Sequence, residues 1–237
     1  MNFSDKIERS KSKEKIDFTK INCLDQKDPL VKVEPSEKII VEPIWAVAGD
    51  LEGGMYADYI AAHPEYDGVY VRSQLLKHLE KAANSLTESY KLIVRAGHRP
   101  YEVQKRLLKD VMQDYKNENP FATDEEALKH ARMYVSDPDI KLPPHCCGAA
   151  VDVDMFDTSI GRPVDFGSPV NEDSDISHLY SEKVTPKQKE NRLLLLTTML
   201  NADFSSYYAE WWHYSYGSEQ WAWFYHKDSC LYGLIEP

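Results

Sequence analysis

The stretch GAAVDVDMFD at 148–157 constrains the fold of this chain more than any other. Apolar and acidic side chains alternate along it, and successive side chains of a strand point to opposite faces. The pattern predicts a strand with Val151 and Val153 on one face and Asp152 and Asp154 on the other. Helices to flank such a sheet are legible before and after it. VRSQLLKHLEKAANSL (71–86) puts Leu75, Leu76, Leu79, Ala82, Ala83 and Leu86 on one helical stripe. YEVQKRLLKDVMQDY (101–115) reads as helical, and Thr123 with Glu126 offers a capping box for a helix through about Tyr134. Thr185, Pro186 and Gln188 supply N-cap, N1 and N3 of the clearest helix, extending to about Asn201.

Further strands are expected at KIIVEPIWAV (38–47), broken by Pro43, and at YKLIVRAGHRP (90–100), stopped by Gly97 and Pro100. EWWHYSYG (210–217) and QWAWFYHK (220–227) are aromatic and β-prone. GDLEGGMYADY (49–59) reads as a glycine-bearing loop, and a loop rich in Asp, Ser and Pro runs from Gly161 to about Lys183. Strands and helices mix without a βαβ rhythm, which points to an α+β single domain, mostly antiparallel sheet flanked by helices. Residues 1–37 are expected to be a polar N-terminal arm, frayed or lying as a surface layer over its first 28 residues, and 38–237 the main folded domain.

Net charge bears on partners. At −11 over 237 residues, the chain lacks the basic patches that binding a phosphate backbone requires, so no nucleic acid is expected. No run approaches the roughly 18 apolar residues of a membrane span. The charged N-terminus has no apolar run behind it, which argues against a secretory signal and for a cytoplasmic location. The four cysteines form no disulfide framework: Cys146 and Cys147 are adjacent, leaving Cys23 and Cys230 as the easy pair.

The chemistry-bearing residues cluster in two short segments. A catalytic zinc site takes three protein ligands and keeps one position for water. His145 stands just before Gly148, a residue that lets the backbone turn so that the imidazole looks back along the following strand. Asp152 and Asp154 are equally well placed on that strand, and spacing does not choose between them. EWWH adds His213, with Glu210 three residues earlier. Positions three apart share a face of a helix but not of a regular strand. Glu210 and His213 can both face one metal only if the chain bends or bulges at Trp211–Trp212.

Taken together, HRP at 98–100, HCCGAAVD at 145–152 and EWWH at 210–213 resemble the D-alanyl-D-alanine dipeptidases of the VanX type. That family carries H-x-x-G-x-A-x-D, then E-W-W-H, with an arginine in an R-P pair well upstream. The order and internal spacings match, and the resemblance runs from roughly Lys38 to the C-terminus. It implies the α+β fold shared by D,D-peptidases and the Hedgehog signalling domain. It also implies one Zn2+ per chain held by His145, Asp152 and His213, with Glu210 as general base and Arg99 as electrostatic clamp. The expected substrate is D-alanyl-D-alanine or a close D,D-dipeptide. The alternatives are an L,D-dipeptide or muropeptide, or a zinc-stabilised module that binds without cleaving. The residues after the ligand histidine vary in the family, so Cys146 and Cys147 are expected to pack; a Cys–His zinc site and a cysteine nucleophile with His145 or His213 as base are the alternatives.

Two departures stand out. Pro143 replaces a serine two before the ligand histidine. Asn171 stands where the family has an acidic residue that helps hold the substrate's ammonium group. Asn171 and Asp173 are the substrate-binding candidates, with Glu172 and Asp175 the other acids of that run.

Overall fold

The computed structural model describes residues 1–14, 17, 20–43, 58–172 and 174–235. From the N-terminus come α1 (Phe3–Ser10), β1 (Asn22–Cys23), β2 (Leu30–Lys32), β3 (Ile39–Val41) and β4 (Tyr70–Arg72). Helix α2 (Ser73–Ser85), β5 (Tyr90–Ala96), α3 (Tyr101–Glu118) and α4 (Asp124–Tyr134) follow. The second half holds β6 (Ala150–Asp157), β7 (Arg162–Pro163), α5 (Pro186–Asn201) and β8 (Ser205–Tyr207). It ends with β9 (Glu210–Ser215), α6 (Glu219–Phe224) and β10 (Ser229–Cys230). No helix among the described residues is long and apolar enough to cross a membrane. Residues 44–47 of the 38–47 stretch, 49–57 of the glycine-bearing loop, and Asp173 lie outside the described residues.

The alternation at 148–157 is realised in β6, the middle strand of a sheet ordered β3-β5-β6-β9-β8, with β7 also paired to β6. The sheet is mixed: β3 runs parallel to β5, and the remaining pairs are antiparallel. Val151, Val153 and Met155 join Leu92 and Val94 of β5 and Tyr214 of β9 in the main core cluster. Helices α2 and α5 cover that face, through Leu75, Leu79, Ala82 and Ala83 from one and Leu195, Leu196, Met199 and Leu200 from the other. Burying one such leucine is worth about 1.5–3 kcal/mol, so this layer holds the sheet flat-side down on its helices.

The helix starts read from the sequence are formed as capping boxes. In α5, Thr185 Oγ1 accepts from Gln188 N at 3.3 Å while Gln188 Oε1 accepts from Thr185 N at 2.8 Å. Thr123 and Glu126 do the same for α4. The stretch 220–227 is a correction: its β-prone aromatics lie largely in the helix α6. Ser218 Oγ accepts from Trp221 N at 3.1 Å to cap it, and Gln220, Trp221, Ala222 and Phe224 are buried. Strand propensity is a preference for a half-buried pleated surface, and a cap followed by burial on a helical face overrides it.

Several described residues of the 1–37 stretch contact the body. Lys6 Nζ donates to Leu200 O at 2.7 Å, and the Arg9 guanidinium lies 3.5 Å from the Trp223 ring centroid. Strand β1 runs parallel to β10, and β2 pairs with β4. These outer strands close around one turn. Gly148 has φ +64°, and a Cβ there would come 2.7 Å from Leu30 Cδ2 and 3.1 Å from Ile235 Cδ1. Gly148→Ala is therefore expected to destabilise the protein by about 2 kcal/mol, from backbone strain plus crowding. Gly161 also has positive φ but open space around it, so Gly161→Ala should cost only the backbone part. Thermal melts of the two variants should rank them in that order, and equal melting temperatures would remove the crowding argument.

Candidate metal centre

Asp152 of β6 and His213 of β9 are paired directly across the two antiparallel strands, which puts their side chains on one face. That face is the one turned away from α2 and α5. His145 joins them from the turn before β6, where Gly148 N donates to His145 O at 2.9 Å and closes the turn. One nitrogen of each ring and one carboxylate oxygen of Asp152 lie within 4.8 Å of one another, and all three residues are buried. His145 Nε2 is 3.2 Å from His213 Nδ1 and 3.3 Å from Asp152 Oδ2, and His213 Nδ1 is 3.1 Å from Asp152 Oδ1.

These spacings suit a small tetrahedral ion. Bonds of about 2.0–2.2 Å at the tetrahedral angle keep ligand atoms about 3.3–3.6 Å apart. The hydrogen bonds behind the rings agree. His145 Nδ1–H donates to Gly97 O at 2.7 Å, which leaves the Nε2 lone pair facing the cluster. His213 Nε2 lies 3.2 Å from Ser215 Oγ, so with Nε2–H donating there its Nδ1 lone pair faces inward too. Two imidazole lone pairs and a carboxylate converging in a buried space are a donor set for a divalent cation. Burial alone would push the Asp152 carboxyl up. When the rings of His145 and His213 carry a proton on that side, their charge and hydrogen bonds outweigh it and hold the group well below the usual carboxylate range; a cation there would act in the same direction.

Asp154 does not join the cluster. Its Oδ2 accepts from Arg95 at 3.0 Å and its Oδ1 from Met155 N at 2.6 Å, and burial raises its pKa. The bulge required at Trp211–Trp212 is present. Ser206 pairs with Tyr214, but Tyr207 pairs with Glu210, so β9 carries extra residues against a single step of β8. Both tryptophans are buried in the core cluster, Trp211 stacked on Phe166 at 4.1 Å, while Glu210 and His213 turn to the same side. Glu210 Oε2 is 3.7 Å from His213 Nδ1, and its side chain is 38% exposed.

Arg99 leaves the end of β5 with its backbone N–H donating to His145 O at 3.2 Å. Its Nη1 donates to Gln104 Oε1 at 2.9 Å, and Gln104 in turn donates to Ser136 O at 2.7 Å, fixing the guanidinium against the α3–α4 hairpin. Asn171 sits on an exposed loop at φ +66°, a conformation asparagine tolerates. Cys146 and Cys147 are buried beside the turn. Burial pushes the Cys146 thiol up to about 12 and the Cys147 thiol well above its usual value, which leaves both protonated and poor nucleophiles.

Sequence reasoning missed three supports. Ser215 lies two residues past His213, hence on the same strand face, and that spacing was the available signal. The Gly97 carbonyl carries no side-chain signal at all. Tyr207 reaches the site only through the hairpin: it pairs with Glu210, and its ring centroid is 6.0 Å from that of His213 at 74°.

A family model described as D-ala-D-ala dipeptidase, of the M15 peptidases, matches residues 69–230. The D-alanyl-D-alanine dipeptidase of Synechocystis sp. is 28% identical over 233 residues, covering 86% of this chain and 92% of that protein. The D-alanyl-D-alanine dipeptidase of Enterococcus faecium is 27% identical over 151 residues, 62% of this chain and 71% of that protein. A solved structure, VanYB in complex with D-Alanine-D-Alanine, is 20% identical with a TM-score of 0.40, over 70% of this chain and 82% of that one.

Ser215→Ala removes the partner of His213 Nε2 without touching the three converging donor atoms. Affinity for a divalent cation, read by chelator competition, is expected to fall about 10- to 100-fold. Unchanged affinity would mean that Ser215 does not orient the ring.

Proposed function

The chain belongs to the M15 peptidase family of D-Ala-D-Ala dipeptidases, and from that premise we propose that it hydrolyses D-alanyl-D-alanine, or a close D,D-dipeptide, with one zinc ion held by His145, Asp152 and His213. The observation that carries the proposal is the convergence of these three donors within 4.8 Å, beside a glutamate that no ligand set requires. A module that only binds has no use for that glutamate.

When bound, zinc would supply a lowered pKa for a coordinated water and polarisation of the scissile carbonyl. The rest falls to the side chains of this chain. Glu210, part exposed and 3.7 Å from His213 Nδ1, takes the proton of the attacking water and returns it to the leaving amine. Arg99 meets the negative charge that grows on the carbonyl oxygen. Gln104 limits the motion of its guanidinium, so less entropy is lost at the moment of reaction. Loss of such a group costs on the order of 2.7–4 kcal/mol of barrier. Gly97 O and the Ser215 hydroxyl keep the two rings oriented while charge moves past them. Asn171 and Asp173 remain the candidates to meet the substrate's ammonium, Asn171 through a neutral carbonyl in place of a charge.

Purified protein with one equivalent of zinc should cleave D-Ala-D-Ala in preference to L,D- and L,L-dipeptides. In Glu210→Ala the metal content should stay at one per chain while kcat drops by about 10²–10⁴. Full turnover in that variant would remove Glu210 as the base, and a wild type that binds dipeptide without cleaving it would favour the binding module.

A further inference from the structure

We propose that Tyr207 is a further catalytic residue of this site, donating its phenol O–H to the substrate oxygen that gains negative charge as the amide is attacked. The proposal rests on the dipeptidase reading above and adds a contact to it. Tyr207 ends β8 and pairs directly with Glu210, the first residue of β9. Directly opposed residues of an antiparallel pair share a face, with Cβ atoms about 4.5–5.5 Å apart. Ser205, two residues before Tyr207, pairs with Ser215, which touches His213 Nε2, so the same face of β8 runs along the metal cluster.

Tyr207, Glu210 and His213 thus form a triangle. Glu210 Oε2 is 3.7 Å from His213 Nδ1, and the Tyr207 ring stands edge-to-face to His213 with centroids 6.0 Å apart. Unlike Tyr214 on the core side, Tyr207 is 41% exposed. Its hydroxyl has no hydrogen-bond partner among the described residues. An exposed aromatic ring set beside His213 and opposite Glu210, with an uncommitted O–H, is a donor within the reach of a molecule bound at this cluster.

The chemistry balances without a net change at the phenol. The water oxygen bonds to the amide carbon and the carbonyl electron pair moves onto its oxygen. The C–N bond then breaks, and Glu210 carries the proton from water to the leaving nitrogen. Tyr207 keeps its proton throughout and contributes only the hydrogen bond, which strengthens as the oxygen becomes anionic.

Tyr207→Phe keeps the ring and its contact with His213 while deleting the hydroxyl. On whichever dipeptide the wild type cleaves best, kcat should fall about 10- to 100-fold with KM within about twofold. Metal content and melting temperature should match the wild type. Calorimetry gives a second arm: a phosphinate dipeptide analogue, which carries a tetrahedral anionic centre, should bind the variant at least about tenfold more weakly, and D-alanine equally well. Unchanged kcat and phosphinate affinity would overturn the proposal, as would a loss confined to KM, or loss of metal in the Phe variant. A wild type inactive on all dipeptides overturns the dipeptidase reading instead, and the phosphinate arm then decides Tyr207 alone.

Discussion

The direct pairing of Asp152 with His213 across β6 and β9 is the contact on which the site depends. It fixes a carboxylate and an imidazole side by side on the sheet face opposite the helices, at a separation set by the backbone rather than by flexible side chains. An isolated carboxylate at that depth would be costly to bury. Two imidazoles supply the compensation, and a cation in the same space would supply more. Shifting the register by one residue would turn Asp152 into the core and Val151 or Val153 into the site.

Two departures from regular geometry complete what pairing begins. The bulge in β9 lets two tryptophans enter the core in succession while Glu210 and His213 stay on the site face. The left-handed Gly148 turns His145 back toward the strand it precedes. Distant parts of the chain then lock that turn. Arg72 Nε donates to Cys147 O at 2.9 Å and Arg72 Nη1 to Asp28 O, while Ile235 N donates to Cys146 O at 3.0 Å. Distant segments thus buttress the loop that carries His145. The buried thiols of Cys146 and Cys147 fit this setting as packing groups between those segments.

Much of the architecture was legible because it rests on local rules. The capping boxes at Thr123 and Thr185, the stripe of α2 and the alternation of β6 each follow from periodicity or from a side chain meeting its own backbone. The stretch 220–227 misled for the opposite reason: tryptophan and tyrosine favour strands on average, but here Ser218 caps a turn whose aromatics find their burial as a helix. The parallel β3–β5 pair was equally hidden, since strand direction depends on how the intervening chain crosses over.

The sequence by itself determined which donors were available, HCCGAAVD and EWWH, and that a bulge was needed if Glu210 and His213 were to act together. It could not separate Asp152 from Asp154 without the family's pattern, because both share a strand face. Tertiary structure sets Arg95 against Asp154 and two histidines against Asp152. It also brought Tyr207, Ser215 and the Gly97 carbonyl to the site. Such positions follow from strand register and chain crossing, which are cooperative properties of the whole sheet, whereas spacing along one segment reports only that segment's own faces.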